Sequence, residues 1–464
     1  MTTFGSDPAS YRSTVEQTHA PISRGDSMIR TTTLTTAALL GLALLVPTGA
    51  QAAADTCRGL PATIVGADNQ RLVGTEGPDV IVTNGAQSLT ALGGNDTICV
   101  TGTPVTAGQA IIDIDAGAGD DYVEASVQGR GTATTLGAGA DTFISGNGAE
   151  HSVYAGTSRL ASSTDIEADS IRITLGNASV TSGQPNTENR DTVAINDGTV
   201  VWSGRSSGPG PVTAAGRGNL VLGGITGSTV IDASRGGIGY ATSESTSLAF
   251  TGFTGFTFSG GTAGDTLTFR GTDADERLEV FAPDGVERDV TMGGGDDFYG
   301  TNGTGTRSSK ARGGTGRDEV LLALPTYDVT ADLDGGRAVA RKGRNTKKIV
   351  KTTGFEDLSL TARRGIVDGT PASEQIIVAA CRVNISGDRG KDFLAATDEL
   401  DDVWPVRDCS RYSAYLSGGR GKDMLFGGPG KDRLIGGAGR DPLDGGSGRD
   451  VCQGEKRRSC ERKI

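Results

Sequence analysis

Apolar residues near the C-terminus recur every nine positions. Four consecutive nonapeptides span residues 418–453, and each has one apolar residue at its eighth position: Leu425, Leu434, Leu443 and Cys452. Because side chains alternate between the two faces of a strand, positions 7 to 9 predict a short strand with position 8 turned inward and its neighbours outward. The first six positions carry Gly at 1, 2 and 4, and therefore predict a turn.

The nine-residue period also predicts how these strands stack. Nine residues make half a coil, so the first and third repeats should lie on one side and the second and fourth on the other. Stacked strands would then run parallel at the usual spacing of roughly 4.7–4.9 Å. The predicted fold class is all-β, a parallel β-roll or β-solenoid built on Gly-Asp turns.

Weaker copies of the pattern occur upstream, at 74–82, 91–99, 116–124, 136–144, 260–268, 292–300, 313–321 and 387–395. Several gaps between their aspartates are about twenty residues, as from Asp121 to Asp141. We interpret residues 55–380 as a degenerate β-solenoid whose turns mostly lost the calcium consensus, and 381–464 as a C-terminal β-roll. Residues 145–259 alternate short apolar triplets with Gly, Ser and Asn turns, which is consistent with strands.

Composition favours strands over helices. Gly makes up 73 of the 464 residues, about 16% against a usual ~7%, and aromatic residues are only 5%. No long helical stripe follows residue 54. The net charge of −12 argues against a nucleic-acid partner.

The residue types in the turn favour a cation. Gly lets the backbone aim carbonyl oxygens inward, and Asp at position 6 adds a charged oxygen. Calcium prefers about six to eight hard oxygen ligands of this kind. We therefore predict Ca²⁺ between stacked turns, with Asp423 paired to Asp441 and Asp432 to Asp450. The predicted metal-site residues are Asp392, Asp423, Asp432, Asp441, Asp450, Gly418, Gly421, Gly427, Gly430, Gly436, Gly439, Gly445 and Gly448.

Residues 418–453 closely resemble the haemolysin-type (RTX) calcium-binding repeat. The resemblance implies a right-handed parallel β-roll with calcium-binding Gly-Asp turns, calcium-dependent folding and export from the cell. The stretches 56–82 and 445–464 are similar to the start and the end of secreted actinobacterial proteins of this type.

Two features depart from the family pattern. Pro442 occupies position 7 of the third repeat, where it removes a ladder donor. Position 5 is basic in every repeat, which should weaken the attraction for calcium. The position-5 residues are Lys422, Lys431, Arg440 and Arg449.

The N-terminal residues predict export. Residues 28–54 are typical of a secretory signal, with a basic start, an apolar stretch at 37–46 and small residues for cleavage at 50–54. That stretch is too short to span a membrane. Residues 1–27 are polar; either the start codon was assigned too early or the signal is unusually long, and the first interpretation is preferred. The mature protein is therefore expected to be extracellular.

Six cysteines follow the signal, an even number that suits an oxidising compartment. Proximity along the chain suggests the pairs Cys57–Cys99, Cys381–Cys409 and Cys452–Cys460, although fifteen pairings are possible. The last pair would staple the end of the roll. Residues 396–412 interrupt the repeats and are interpreted as a disulfide-tied loop that contains Trp404.

Catalytic motifs are scarce. His151 is the single histidine after the signal, which excludes a zincin site because that motif needs two. Residues 204–208 match GxSxG around Ser206, but they lack the strand-turn-helix context and are followed at once by GPGP. Adjacent pairs such as Asp120–Asp121 and Asp296–Asp297 are explained as positions 5 and 6 of a calcium turn.

Two functions remain open from the sequence. The first is a secreted calcium-binding β-solenoid without catalysis, a binding or surface-associated structural protein with a cell-wall or extracellular polysaccharide as the candidate partner. The alternative is a carbohydrate-active β-helix enzyme, a polysaccharide lyase or glycosidase that uses aspartates of 55–380. A cavity lined by three or more carboxylates and a basic residue would favour the enzyme. The basic run 337–351 could bind an anionic polymer, but a solvated hairpin is the preferred interpretation.

Overall fold

The structure is a computed structural model that describes residues 55–102, 111–125, 130–146, 148–156, 166–208, 210–234, 239–343, 345–398, 400 and 409–463. The predicted extension 1–27 and the predicted signal 28–54 lie outside these ranges. In the described part of the chain the regular elements are β-strands, and no helix there is long and apolar enough to cross a membrane. The all-β prediction is confirmed.

The strands of the first half have two to six residues, except for β19 and β22 with 14 each. They are β1 (Thr56–Cys57), β2 (Leu60–Pro61), β3 (Ile64–Val65), β4 (Arg71–Val73), β5 (Val80–Val82), β6 (Ser88–Thr90), β7 (Thr97–Cys99), β8 (Ile111–Asp115), β9 (Tyr122–Ala125), β10 (Gly131–Thr135), β11 (Thr142–Ser145), β12 (His151–Tyr154), β13 (Ser170–Ile173), β14 (Asn177–Ser182), β15 (Glu188–Asn189), β16 (Thr192–Ile195), β17 (Asp197–Trp202), β18 (Arg205–Ser206), β19 (Val212–Ile225), β20 (Thr229–Asp232), β21 (Gly239–Thr242) and β22 (Ser247–Gly260).

The second half contains longer strands before it returns to short ones in the nonapeptides. They are β23 (Thr266–Arg270), β24 (Arg277–Phe281), β25 (Glu287–Gly294), β26 (Phe298–Asn302), β27 (Lys310–Thr315), β28 (Glu319–Asp332), β29 (Arg337–Lys342), β30 (Asn345–Thr353), β31 (Asp357–Asp368), β32 (Gln375–Ser386), β33 (Arg389–Gly390), β34 (Phe393–Thr397), β35 (Ser413–Gly421), β36 (Met424–Phe426), β37 (Pro429–Gly430), β38 (Arg433–Ala438), β39 (Pro442–Asp444), β40 (Ser447–Gly448), β41 (Val451–Gln453), β42 (Lys456–Arg458) and β43 (Arg462–Lys463).

Each coil pairs in parallel with the coils before and after it, as a solenoid requires. Val123 in β9 lies opposite Ile98 in β7 and Phe143 in β11. In the nonapeptides Leu425 lies opposite Leu443, and the second and fourth repeats pair in the same way. The predicted stacking of alternate repeats is therefore confirmed. Strand β32 runs through residue 380, and its two halves pair with β34 and β35, so the ladder is continuous there.

The core is the row of inward side chains inside the coils. Middle coils bury aromatic side chains, and the Phe250, Phe256 and Phe269 rings pack with centroids 5.4 and 5.3 Å apart. In the nonapeptide coils the inward residues are Leu425, Leu434, Leu443 and Cys452, all buried, while the flanking positions are more exposed. The predicted inward face is confirmed.

Among the described residues, two hairpins interrupt the parallel pattern inside the ladder, and β1 and β2 form a separate antiparallel pair. Strand β21 pairs antiparallel with β20 and β22, and β29 pairs antiparallel with β28 and β30. The second hairpin contains most of the basic run 337–351, so its interpretation as a hairpin is confirmed.

All three suggested disulfides are present: Cys57–Cys99, Cys381–Cys409 and Cys452–Cys460. The second one closes the insert 396–412, whose residues 399 and 401–408, including Trp404, lie outside the described ranges.

Candidate metal-binding turns

Each predicted aspartate of the nonapeptides is buried at the end of a turn, directly before a strand of the ladder. The Asp423 N–H donates a hydrogen bond to Asp441 Oδ1 (3.0 Å), and the Asp432 N–H donates to Asp450 Oδ1 (2.9 Å). The two predicted pairs are therefore brought together. What joins them is a peptide N–H of one coil and a carboxylate oxygen of the next.

The same bond repeats over many coils and builds four rows of acidic residues. The N-terminal acid row is Asp79, Asp96, Asp121, Asp141, Asp169 and Asp191. The middle acid row is Glu276, Asp297, Asp318 and Glu356. The C-terminal acid row is Glu374, Asp392, Asp423, Asp441 and Glu455. The short acid row is Asp432, Asp450 and Glu461.

The second oxygen of most of these carboxylates has no hydrogen-bond partner although it is buried. A buried charged oxygen without a partner is costly, because it has lost its water and gained nothing in return. The unpartnered atoms in the rows are Oδ2 of Asp96, Asp121, Asp141, Asp297, Asp318, Asp392, Asp423, Asp432, Asp441 and Asp450, and Oε2 of Glu374.

The pKa values of two carboxylates in the rows also indicate that positive charge is lacking beside them. Burial, and to a lesser degree the neighbouring Asp450 charge, raise the pKa of Asp432 to about 7. Burial together with the charges of Asp423 and Glu374 raises the pKa of Asp392 to about 7 as well. These two carboxylates thus hold their protons more tightly than free ones, unless a cation compensates the charge.

Glycine at position 1 of the repeat keeps space open beside the unpartnered oxygen. A Cβ atom added at Gly418 would lie 2.5 Å from Asp423 Oδ2 and 2.6 Å from the carbonyl oxygen of Gly436. A Cβ at Gly427 would meet Asp432 Oδ2 and the Gly445 carbonyl oxygen in the same way. The predicted residues Gly436 and Gly445 likewise face the Oδ2 atoms of Asp441 and Asp450.

Glycine is required at position 4 of the repeat for a different reason, the backbone conformation. There φ lies between +126° and +156°, in the region that side chains rarely adopt. A Cβ at Gly421 would also lie 1.5 Å from the stacked carbonyl oxygen of Gly390. The predicted position-4 residues are Gly421, Gly430, Gly439 and Gly448.

Together these atoms fit a calcium ion. Carboxylate and carbonyl oxygens are hard ligands, which suit calcium and not the nitrogen and sulfur preference of zinc. Among the described residues no group of three or more His, Cys, Asp or Glu side chains converges on one point. An ion at these turns would therefore take most of its ligands from backbone carbonyls.

The basic residues at position 5 do not compensate the buried charge. Lys422, Lys431, Arg440 and Arg449 are exposed, and within the described coils none forms an ion pair with a carboxylate of the rows.

Sequence reasoning missed the glutamates of the rows and the threonines that start them. The Thr272 N–H donates to Glu276 Oε2 (3.1 Å), and the Thr370 N–H donates to Glu374 Oε1 (2.5 Å). Both turns read Gly-Thr-x-Ala-x-Glu, a signal that is visible in the sequence. In the weak copy 260–268, by contrast, Asp265 joins no row and accepts hydrogen bonds from Thr262 of its own turn.

The structure does not join the candidate nucleophile to a base. Ser206 lies in the two-residue strand β18, paired to β15, and within the described residues no hydrogen bond links it to His151. His151 is buried, with Nε2 2.8 Å from Ser145 Oγ and Nδ1 3.2 Å from Thr132 Oγ1.

A cavity of about 580 Å³ lies over strands β4, β6 and β8. Its lining includes one carboxylate, Asp113, and two guanidinium groups, those of Arg71 and Arg130, among polar and apolar side chains. It therefore does not show the three convergent carboxylates that would favour a glycosidase or lyase.

Comparison with known families agrees with the geometry of the turns. The model of the RTX calcium-binding nonapeptide repeat matches residues 64–98 and 417–452, with four copies. The matched segments contain the start of the N-terminal acid row and the centre of the C-terminal one. Comparison with curated proteins gives no significant match over the chain. The chain thus carries RTX calcium-binding repeats, and the predicted resemblance is confirmed.

Proposed function

We propose that this protein is a secreted β-solenoid that calcium stabilises, and that it acts without catalysis as a binding or surface-associated structural protein. The observation that carries the proposal is the line of buried, unpartnered carboxylate oxygens in the matched repeats. A divalent cation is the group that such oxygens lack.

The chain's own residues would hold calcium in two places of the roll. Asp392, Asp423 and Asp441 would serve the C-terminal acid row, and Asp432 and Asp450 the short acid row, with carbonyl oxygens of the position-1 glycines beside them. The bound ion would supply the positive charge that lets adjacent coils carry ionised carboxylates at strand spacing.

Secretion is supported by the cysteines and by the repeats. All six cysteines are in disulfides, which form and persist in oxidising compartments. The RTX resemblance implies export. Deletion of the candidate signal 28–54 tests secretion, because the shortened protein should remain inside the producing cell.

A non-catalytic role is supported by the surroundings of the candidate nucleophile Ser206 and by the lining of the cavity. No hydrogen bond between described residues links Ser206 to His151, and the cavity over β4, β6 and β8 is lined by a single carboxylate together with Arg71 and Arg130. We propose an acidic cell-wall or extracellular polysaccharide as the partner, since the exposed Arg71 guanidinium can bind a carboxylate or a sulfate, whereas that of Arg130 is buried and donates to the Ala86 carbonyl oxygen. Retention of the protein on polygalacturonate but not on neutral dextran, and its loss in Arg71→Ala, would support this.

Calcium dependence is tested on residues 55–464 after chelation. Titration with calcium, but not magnesium, should raise the melting temperature in the 10⁻⁴–10⁻³ M range typical of extracellular sites, about 0.1–1 mM. Asp432→Asn combined with Asp450→Asn should reduce that rise, whereas Asp334→Asn, at an exposed position outside the rows, should not. A melting temperature that stays unchanged up to about 10 mM calcium, well beyond that range, would refute the proposal.

A further inference from the structure

The middle acid row is built like the C-terminal acid row, although it lies outside the segments that the RTX repeat model matches. The Glu276 N–H donates to Asp297 Oδ1 (2.8 Å), the Asp297 N–H to Asp318 Oδ1 (2.9 Å), and the Asp318 N–H to Glu356 Oε2 (2.9 Å). Both rows begin with a glutamate bonded to a threonine of its own turn, and both end with a glutamate. The matched segments 64–98 and 417–452 include no residue of the middle row.

Two aspartates of the middle row have the same unpartnered oxygens as the RTX turns. Asp297 is 2% exposed and Asp318 is 0% exposed, and Oδ2 of each has no hydrogen-bond partner. A Cβ at Gly313 would lie 2.4 Å from Asp318 Oδ2 and 1.8 Å from the Gly354 carbonyl oxygen. This reproduces the arrangement of Gly418, with Asp423 and a carbonyl oxygen of the next coil.

The charge around the middle row is more negative than around the RTX turns. Position 5 is an exposed carboxylate before Glu276 and before Asp297, namely Asp275 and Asp296, and it is Arg317 before Asp318. The Asp296 N–H donates to Asp275 Oδ1 (2.8 Å), and Asp296 Oδ1 accepts from the Arg317 N–H (2.8 Å). The Arg317 guanidinium is itself held by both oxygens of Asp357, at 2.8 and 2.9 Å. In the C-terminal acid row the corresponding residues are Lys391, Lys422 and Arg440.

We infer that Asp297 and Asp318, with the backbone carbonyl oxygen of Gly354, form a calcium site outside the matched repeats, and that this site binds calcium more tightly than the RTX turns. Calcium affinity rises with the number of negative ligands and neighbours, and a Lys beside a ligand opposes the ion. The turns outside the matched segments thus hold the stronger site, and the matched turns the weaker ones.

Calcium binding is measured by isothermal titration calorimetry on residues 55–464, with magnesium as the competing ion. The wild type should show a tighter and a weaker class of sites. Asp318→Asn should remove the tighter class and leave the weaker, whereas Asp423→Asn should do the reverse. Circular dichroism and melting of each variant without calcium show whether it is folded.

A reciprocal exchange of exposed residues tests the charge argument without touching a buried group. Asp296→Lys should weaken the tighter class about tenfold, and Lys422→Asp should tighten the weaker class by a similar factor. An unchanged tighter class in both Asp318→Asn and Asp296→Lys overturns this inference while leaving the RTX sites in place. Absence of all calcium binding overturns the proposed function as well.

Discussion

At the scale of single residues, the recurring feature is a buried carboxylate in which one oxygen accepts a hydrogen bond and the other has no partner. Five such aspartates lie in the two rows of the C-terminal roll. Each unpartnered buried polar atom costs about 1–3 kcal/mol, so their sum is comparable to the ~5–15 kcal/mol that stabilises a whole domain. The roll therefore needs protons or cations on these oxygens in order to stay folded.

Position 1 of the repeat gives a direct test of the space beside these oxygens. The φ of Gly418 is not positive, so Ala is allowed by the backbone, but its Cβ would lie 2.5 Å from Asp423 Oδ2. We expect Gly418→Ala to destabilise the calcium-loaded protein by about 1–3 kcal/mol, as overpacking does. Gly223→Ala, which meets no atom within 4 Å, is the matched control and should be near neutral in the same urea titration.

Asp121 makes the stability of the folded protein depend on pH. Burial, reinforced by the charges of Asp141, Asp96 and Asp120, raises the pKa of Asp121 to about 8. The unfolded chain releases this proton near pH 3.8 while the folded chain keeps it, so the group makes stability fall as pH rises from about 4 to about 8. One proton contributes a slope of up to about 1.4 kcal/mol per pH unit.

Asp121→Asn removes that proton while keeping an oxygen for the Asp96 N–H. In the presence of chelator, the free energy of unfolding of the variant should fall less steeply between pH 4 and 8 than that of the wild type. Urea titrations at several pH values give both slopes, with Asp334→Asn as an exposed control. Equal slopes for Asp121→Asn and wild type would show that Asp121 is ionised in the folded protein.

At the scale of elements, each turn uses the next coil to satisfy its backbone, so a row needs a defined beginning and end. Thr75, Thr272 and Thr370 bond the first acid of three rows from within its own turn. Glu356, Glu455 and Glu461 accept the last free N–H of the middle, C-terminal and short rows. The glutamates thus act as caps that relieve the final turn of an unpaired donor.

The cap at Glu455 can be removed without disturbing the core, since this residue is exposed. Its Oε2 accepts the Asp441 N–H at 3.1 Å. Glu455→Ala should cost about 1 kcal/mol, the net value of one hydrogen bond, and should speed hydrogen exchange at the end of the roll. Glu455→Gln keeps an acceptor and should retain most of the protection. Similar exchange in the two variants would contradict a capping role.

The sequence predicted those elements whose period is strict. The nine-residue repeat identified β36, β38, β39 and β41, their inward Leu and Cys residues and the pairing of alternate repeats. It also identified the copies 292–300 and 313–321, which carry Asp297 and Asp318, but not their connection into one row with Glu276, because position 1 before Asp297 is Met292 and position 6 of the preceding coil is Glu276. Those substitutions break the consensus while the peptide-to-carboxylate bond, which depends only on stacking, remains.

At the scale of the whole molecule, coils are held by two different means. Between Asp191 and Glu276 no described residue belongs to an acid row, and there the coils bury aromatic side chains such as Trp202, Phe250 and Phe258. The nonapeptide coils bury one Leu or Cys per half-coil together with the carboxylates. Burial of a large apolar side chain stabilises the fold by about 1.5–3 kcal/mol. The aromatic coils should therefore stay folded without an ion, whereas the C-terminal roll should not.

Hydrogen exchange measured by mass spectrometry on residues 55–464 can separate these two parts. In a solenoid each coil contacts only its neighbours, so local losses of stability stay local. Chelation should therefore raise exchange about tenfold or more in β36, β39 and β41, while β19 and β22 keep their protection. Calcium, but not magnesium, should restore the first group. A uniform rise over both groups would mean that the coils unfold as one unit, and equal protection with and without chelator would mean that the buried carboxylates of the roll are held by protons instead of calcium.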